Sequence, residues 1–78
     1  MPTVRRFSRC RIEMYFGDHP PPHFHVIAVN AKAVFRIDTL ELWAGEMDGR
    51  DSIEALRWAR ENRAVLAAKW QEFSEEEL

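Results

Sequence analysis

Seventy-eight residues make a single domain, 1–78, with no room for a second core. Hydrophobic residues supply 46% of the chain, with three Trp and five Phe, which excludes a disordered composition and points to a core of a few large side chains. The net charge of −2 excludes a uniformly basic nucleic-acid coat protein, and no apolar run approaches the ~18 residues that a membrane span needs.

Cys10 is the only cysteine, so no internal disulfide forms, and a reducing cytosol is the expected compartment. Small size makes pairing with a second copy, a homodimer, one expected route to stability. Charge is unevenly spread. Arg5, Arg6, Arg9 and Arg11 lie in the first twelve residues with no acid, whereas Glu72, Glu75, Glu76 and Glu77 crowd the tail. Such ends either face water or each other, or the basic end touches phosphate. On the second reading Arg5 and Arg6 are the phosphate-binding candidates and nucleic acid is a partner.

Residues 10–16 alternate, with Ile12, Met14 and Phe16 on one face and Arg11, Glu13 and Tyr15 on the other, the period of a half-buried strand. Gly17 and Asp18 then lead into Pro20, Pro21 and Pro22, which donate nothing to a ladder and suggest a stiff, extended, polyproline II connection. Residues 23–29 resume a strand, with Phe24, Val26 and Ala28 opposed to His23, His25, Ile27 and Val29. A tight turn at Asn30-Ala31 leads into a returning strand over residues 32–37, and a shorter one follows over 39–44.

Asp51 and Glu54 have the spacing of a capping box and predict a helix from Asp51 to about Phe73. Ala55, Leu56, Ala59, Leu66, Trp70 and Phe73 form its apolar stripe, and Arg63 within that stripe predicts a bend or break near Asn62. Trp58 and Val65 make a second ridge, a candidate interface for another chain. The fold class is therefore α+β: a three- to four-stranded antiparallel meander with a long, kinked C-terminal helix across one face.

The segment Asp18-His19-Pro20-Pro21-Pro22-His23-Phe24-His25 concentrates the chemistry. His23 and His25, two apart on an extended chain, project from one face and suit Zn²⁺, Ni²⁺, Cu²⁺ or Fe²⁺. His19 is the first candidate for a further ligand, then Asp18, Asp38 and Glu41. The same rings equally serve as a general acid–base, with Asp18 orienting His23 or His25 in a metal-free RNA-cleaving site. They also pack quietly when satisfied by backbone carbonyls.

This segment resembles the core Asp-His-x-Pro-Pro-His-x-His of a bacterial domain-of-unknown-function family, number 4160. Met-Pro-Thr at the start, the aromatic strand before Asp18, residues 33–37 and the helix closing at Trp70 also fit its pattern. Gly17 and Pro20 stand where that pattern is more variable. The resemblance implies a small bacterial protein accompanied by a cognate small partner, of the toxin–antitoxin type, and implies no particular chemistry.

Overall fold

A computed structural model describes residues 3–75. Five strands run in chain order across one antiparallel sheet: β1 (Thr3–Arg6), β2 (Cys10–Glu13), β3 (His23–Ala28), β4 (Lys32–Arg36) and β5 (Leu42–Glu46). Two helices follow, α1 (Gly49–Glu61) and α2 (Arg63–Glu75). The α+β meander expected from the sequence is present, with one strand more than expected and two helices in place of one. Glu76 and Glu77, and the side chain of Glu75, lie outside the described residues, as does the Met-Pro start.

The extra strand is β1, whose Arg5-Arg6 pair has no alternating apolar signal. It is held by pairing with β2, in the register Arg5↔Ile12 and Arg6↔Arg11. Strand β2 stops at Glu13, so Phe16 leaves the buried face and is half exposed, whereas Ile12 and Met14 are buried as the alternation requires. The β3–β4 hairpin turns one residue earlier than expected, at Val29-Asn30, where Ala28 N–H donates to Ala31 O. The last strand begins at Leu42 rather than at residue 39. Residues 37–39 are turn, and Leu40 just after them has a φ of 62°, outside the extended range of a non-glycine strand residue.

Gly45 is required in β5. Its φ is +81°, and a Cβ there would lie 2.4 Å from the carbonyl oxygen of Lys32 on the neighbouring strand.

The cap of α1 is Asp48, whose carboxylate accepts from Arg50 N–H at 2.8 Å, three residues upstream of the capping box expected at Asp51. Asp51 and Glu54 instead tie the helix to the β1–β2 turn. Asp51 accepts from Arg9 Nε at 3.0 Å, and Glu54 accepts from both the amide and the hydroxyl of Ser8. The break near Asn62 is confirmed: its side-chain amide donates to Trp58 O at 2.8 Å, replacing backbone pairing where the two helices separate.

The core lies between the sheet and the helices. Ile12, Phe24, Val26, Ala33 and Phe35 from the strands meet Ala55 and Ala59 of α1 and Leu66 of α2. Ala55 and Ala59 carry no bulk, so α1 sits close on β2 and β3. Cys10 is in this core, and burial pushes its thiol above the usual value.

Directly paired residues share a face, so the register also defines the opposite side of the sheet. One cross-strand row there contains Arg6, Arg11, Ile27, Lys32 and Glu46; the next contains Glu13, His25, Val34 and Ala44; the third pairs His23 with Arg36. Apart from Glu13 and His23, these residues are exposed or half-buried.

Candidate metal centre

The two histidines point to the same side because they are i and i+2 on β3, which pairs with both its neighbours without a break in register. Asp18 comes back to them through the proline segment. That segment does not run extended: Pro20 and Pro21 form a bend, and their peptide bond is cis. The carboxylate lies over the start of β3. Its Oδ2 is 2.9 Å from His23 Nε2 and 3.1 Å from His25 Nε2, while Oδ1 accepts from His19 N–H at 3.1 Å.

His23 Nδ1 lies 2.7 Å from the carbonyl oxygen of Pro21. A carbonyl only accepts, so Nδ1 carries the proton, and in the neutral ring Nε2 is a lone pair. That lone pair is aimed at a carboxylate. Burial raises the Asp18 carboxyl, but the hydrogen bond from His25, the charge of His23, the His19 amide and the His23 contact outweigh it and hold it below the usual carboxylate value. Two electron-rich atoms 2.9 Å apart need a cation between them, either a proton on Nε2 or a metal ion.

Two of the three donor separations suit an ion. The three donor atoms of Asp18, His23 and His25 all lie within 4.8 Å of one another. Donors at right angles around an ion with bonds of about 2.1 Å sit about 3.0 Å apart, close to both carboxylate–imidazole distances. Two histidines and one carboxylate that leave the remaining coordination positions free are a recurring set for Fe²⁺ and other first-row divalent ions. The Pro21 carbonyl on His23 Nδ1 is the outer hydrogen bond that metal-binding imidazoles ordinarily make.

Aromatic rings wall the cluster. His23 is 4% exposed, with Trp43 of β5 at 4.8 Å and Trp70 of α2 at 5.1 Å between ring centroids. His25 lies 4.5 Å from Tyr15, edge to face. Behind Tyr15, Glu13 is 3% exposed and accepts from the Tyr15 hydroxyl at 2.6 Å and from Arg11 Nε. Those two hydrogen bonds, Tyr15 first, hold the Glu13 carboxyl below its usual value. Burial, reinforced by the hydrogen bond to Glu13, pushes the Tyr15 phenol up to about 12.

Of the residues singled out from sequence, Asp18, His23 and His25 come together. The exposed ring of His19 stays outside the cluster, although its backbone orients Asp18. Asp38 pairs with Arg36 through two hydrogen bonds, at 2.9 and 2.8 Å, and Glu41 lies in the turn leading to β5; neither joins the cluster. Arg5 and Arg6 take opposite faces. The Arg5 guanidinium stacks on Phe7 and Trp58 on the helix side, and Arg6 stands on the same side as His25. Trp58 is half-buried under Arg5 and Phe7, which leaves Val65 as the exposed member of that ridge. Trp43 and Glu13 had no chemical signal in the sequence, because their proximity to the histidines depends on strand register across the proline segment.

The fold and the cluster define a small α+β domain carrying an Asp–His–His centre at one end of an antiparallel meander. The chain belongs to the family described as Domain of unknown function (DUF4160), whose model matches residues 10–71, from β2 through most of α2 and across the whole Asp18–His25 segment. No curated protein and no solved structure matches it. Among the described residues no helix is long and apolar enough to cross a membrane.

Proposed function

We propose that the protein binds a divalent transition metal through Asp18, His23 and His25 and presents the ion's remaining coordination positions to a substrate. The observation that carries this is the convergence of three donor atoms, Asp18 Oδ2, His23 Nε2 and His25 Nε2, with His23 Nδ1 occupied by the Pro21 carbonyl so that Nε2 is the ring nitrogen turned to the cluster. A site meant only to hold the fold together would be closed by a fourth protein ligand. Here Asp18 and His25 keep 24% and 22% side-chain exposure, on the side where Trp43 is also exposed. The test is calorimetric titration of chelator-treated protein with Zn²⁺, Ni²⁺ and Fe²⁺. Saturable one-to-one binding of micromolar affinity or tighter, weakened at least tenfold in His25→Ala, is the expected result. Only weak or non-saturable binding overturns it.

The same geometry supports a metal-free reading, in which Asp18 orients His25 as a general acid–base. It separates from the first by activity that survives a chelator.

A partner protein of the toxin–antitoxin type is a further reading, supported by β5. This edge strand is exposed along its length and carries Leu42 and Trp43, so another chain could extend the sheet there.

A further inference from the structure

We infer that Tyr15 is the positioning residue of His25: anchored through its hydroxyl to Glu13, it holds the imidazole in the ring orientation that turns Nε2 to Asp18. This deepens the metal reading by naming what keeps the second imidazole of the centre in place. It rests on that reading only for the consequence on ion affinity.

His23 and His25 are fixed in different ways. His23 has its Nδ1 on the Pro21 carbonyl, which sets its ring orientation. His25 makes its hydrogen bond through Nε2, to Asp18 at 3.1 Å, and among the described residues none reaches its Nδ1. That bond ends on a carboxylate with 24% exposure, where water competes for it. A half-turn about χ2 would put Cε1 where Nε2 now stands and leave Asp18 facing a carbon. Ring packing opposes that turn: Tyr15 meets His25 at 4.5 Å with the planes 62° apart, and His23 meets it at 5.2 Å and 67°.

The anchor behind Tyr15 is built into the sheet. Strand β2 ends at Glu13, so Tyr15 lies beyond the β2–β3 ladder and is tied down by its hydroxyl, which donates to Glu13 at 2.6 Å. Glu13 stands directly across the strands from His25, is buried, and accepts from Arg11 Nε on its other oxygen. Both carboxylate oxygens are thus occupied, and the acid cannot turn without losing a charge-assisted hydrogen bond. A buried ion pair adds little stability over apolar residues of the same size, so stability alone does not account for this one. What the arrangement provides is rigidity: Arg11, Glu13 and Tyr15 form a brace from β2 to the ring of His25.

The test begins on the full-length, chelator-treated protein labelled with ¹⁵N at histidine, because imidazole nitrogen signals report tautomer and ring orientation without an ion. Tyr15→Phe keeps the ring and removes its anchor. The His25 ring signals should shift and broaden in this variant, while those of His23, held by Pro21, and of exposed His19 stay nearly in place. Unchanged His25 signals, or equal changes at His23 and His25, overturn the inference. Circular dichroism establishes that the variant is folded; if it is not, Glu13→Gln, which keeps the shape of the anchor and removes its charge, takes its place in the same measurement. Calorimetric titration with Zn²⁺ follows. An affinity about tenfold lower for the folded variant supports a brace that acts on the centre. A variant that loses folded protein but binds Zn²⁺ with wild-type affinity has lost stability alone, and that result refutes the positioning role. A wild type that takes up no Zn²⁺ sinks the metal reading, and the ring signals of the metal-free protein then decide the role of Tyr15 by themselves.

Discussion

His23 and Asp18 meet at 2.9 Å through atoms that repel unless a cation lies between them, because the other nitrogen of the same ring is held by Pro21. Replacing the carboxylate by an amide tests that relationship without emptying the space. In Asp18→Asn the side chain still accepts from the His19 amide, but the charge is gone. The expected outcome is a Zn²⁺ affinity lowered by at least tenfold, with near-native circular dichroism. The comparison variant is His19→Ala, whose ring is exposed and outside the cluster, and which should leave Zn²⁺ affinity within a factor of two. Calorimetry on both variants checks the pair. A large loss in His19→Ala would mean that its ring swings in to bind.

The contrast between His19 and Asp18 marks how far the sequence could be read. Alternation placed His23 and His25 on one face and Ile12, Met14, Phe24, Val26, Phe35 and Ile37 towards the core, because a strand's period of two is local. The choice between Asp18 and His19 as the third group was not local. It depends on the bend at Pro20 and Pro21, which a run of prolines does not announce. Strand β1 was missed for a related reason: Arg5 is held by stacking on Trp58, a contact fifty-three residues away in the chain. The cap of α1 lies three residues before the expected one because Asp48 and Asp51 both offer capping carboxylates, and only the position of Arg9 and Ser8 shows that Asp51 and Glu54 are engaged elsewhere.

Glu13 gives a prediction about acid stability. Its carboxyl is held below the ordinary value by the Tyr15 and Arg11 hydrogen bonds. A depressed folded-state pKa means that the stabilisation is present above the unfolded value of about 4.3 and is lost as the pH falls through the folded value. Glu13→Gln removes the charge that both donors face, and should cost about 1–3 kcal/mol at neutral pH. It should also flatten the stability profile below about pH 4, where the wild type loses this contribution. Urea denaturation across that pH range measures both effects.

Gly45 predicts a purely steric cost. Alanine at this position would need the same positive φ and would bring its Cβ to 2.4 Å from Lys32 O, so β5 must separate from β4 or shift register. Destabilisation of at least ~1–3 kcal/mol is expected in Gly45→Ala, measured by chemical denaturation. Because Trp43 sits on the displaced strand, the variant should also bind Zn²⁺ less tightly than its remaining folded fraction accounts for.

The tryptophans supply a direct readout of where an ion binds. Trp43 and Trp70 flank His23 at 4.8 and 5.1 Å, whereas Trp58 is engaged with Arg5 and Phe7 under β1. A paramagnetic ion such as Cu²⁺ or Ni²⁺ at the Asp18–His23–His25 centre should therefore quench the two near rings strongly and Trp58 weakly. Titration of the wild type with Ni²⁺ is expected to remove most, but not all, of the tryptophan emission, saturating with the calorimetric affinity. In the double variant Trp43→Phe/Trp70→Phe the remaining emission comes from Trp58 and should fall little, although the ion still binds. Trp58→Phe should show the converse, nearly complete quenching with unchanged affinity. Equal quenching in the two variants would place the ion elsewhere and remove the metal centre from the start of β3.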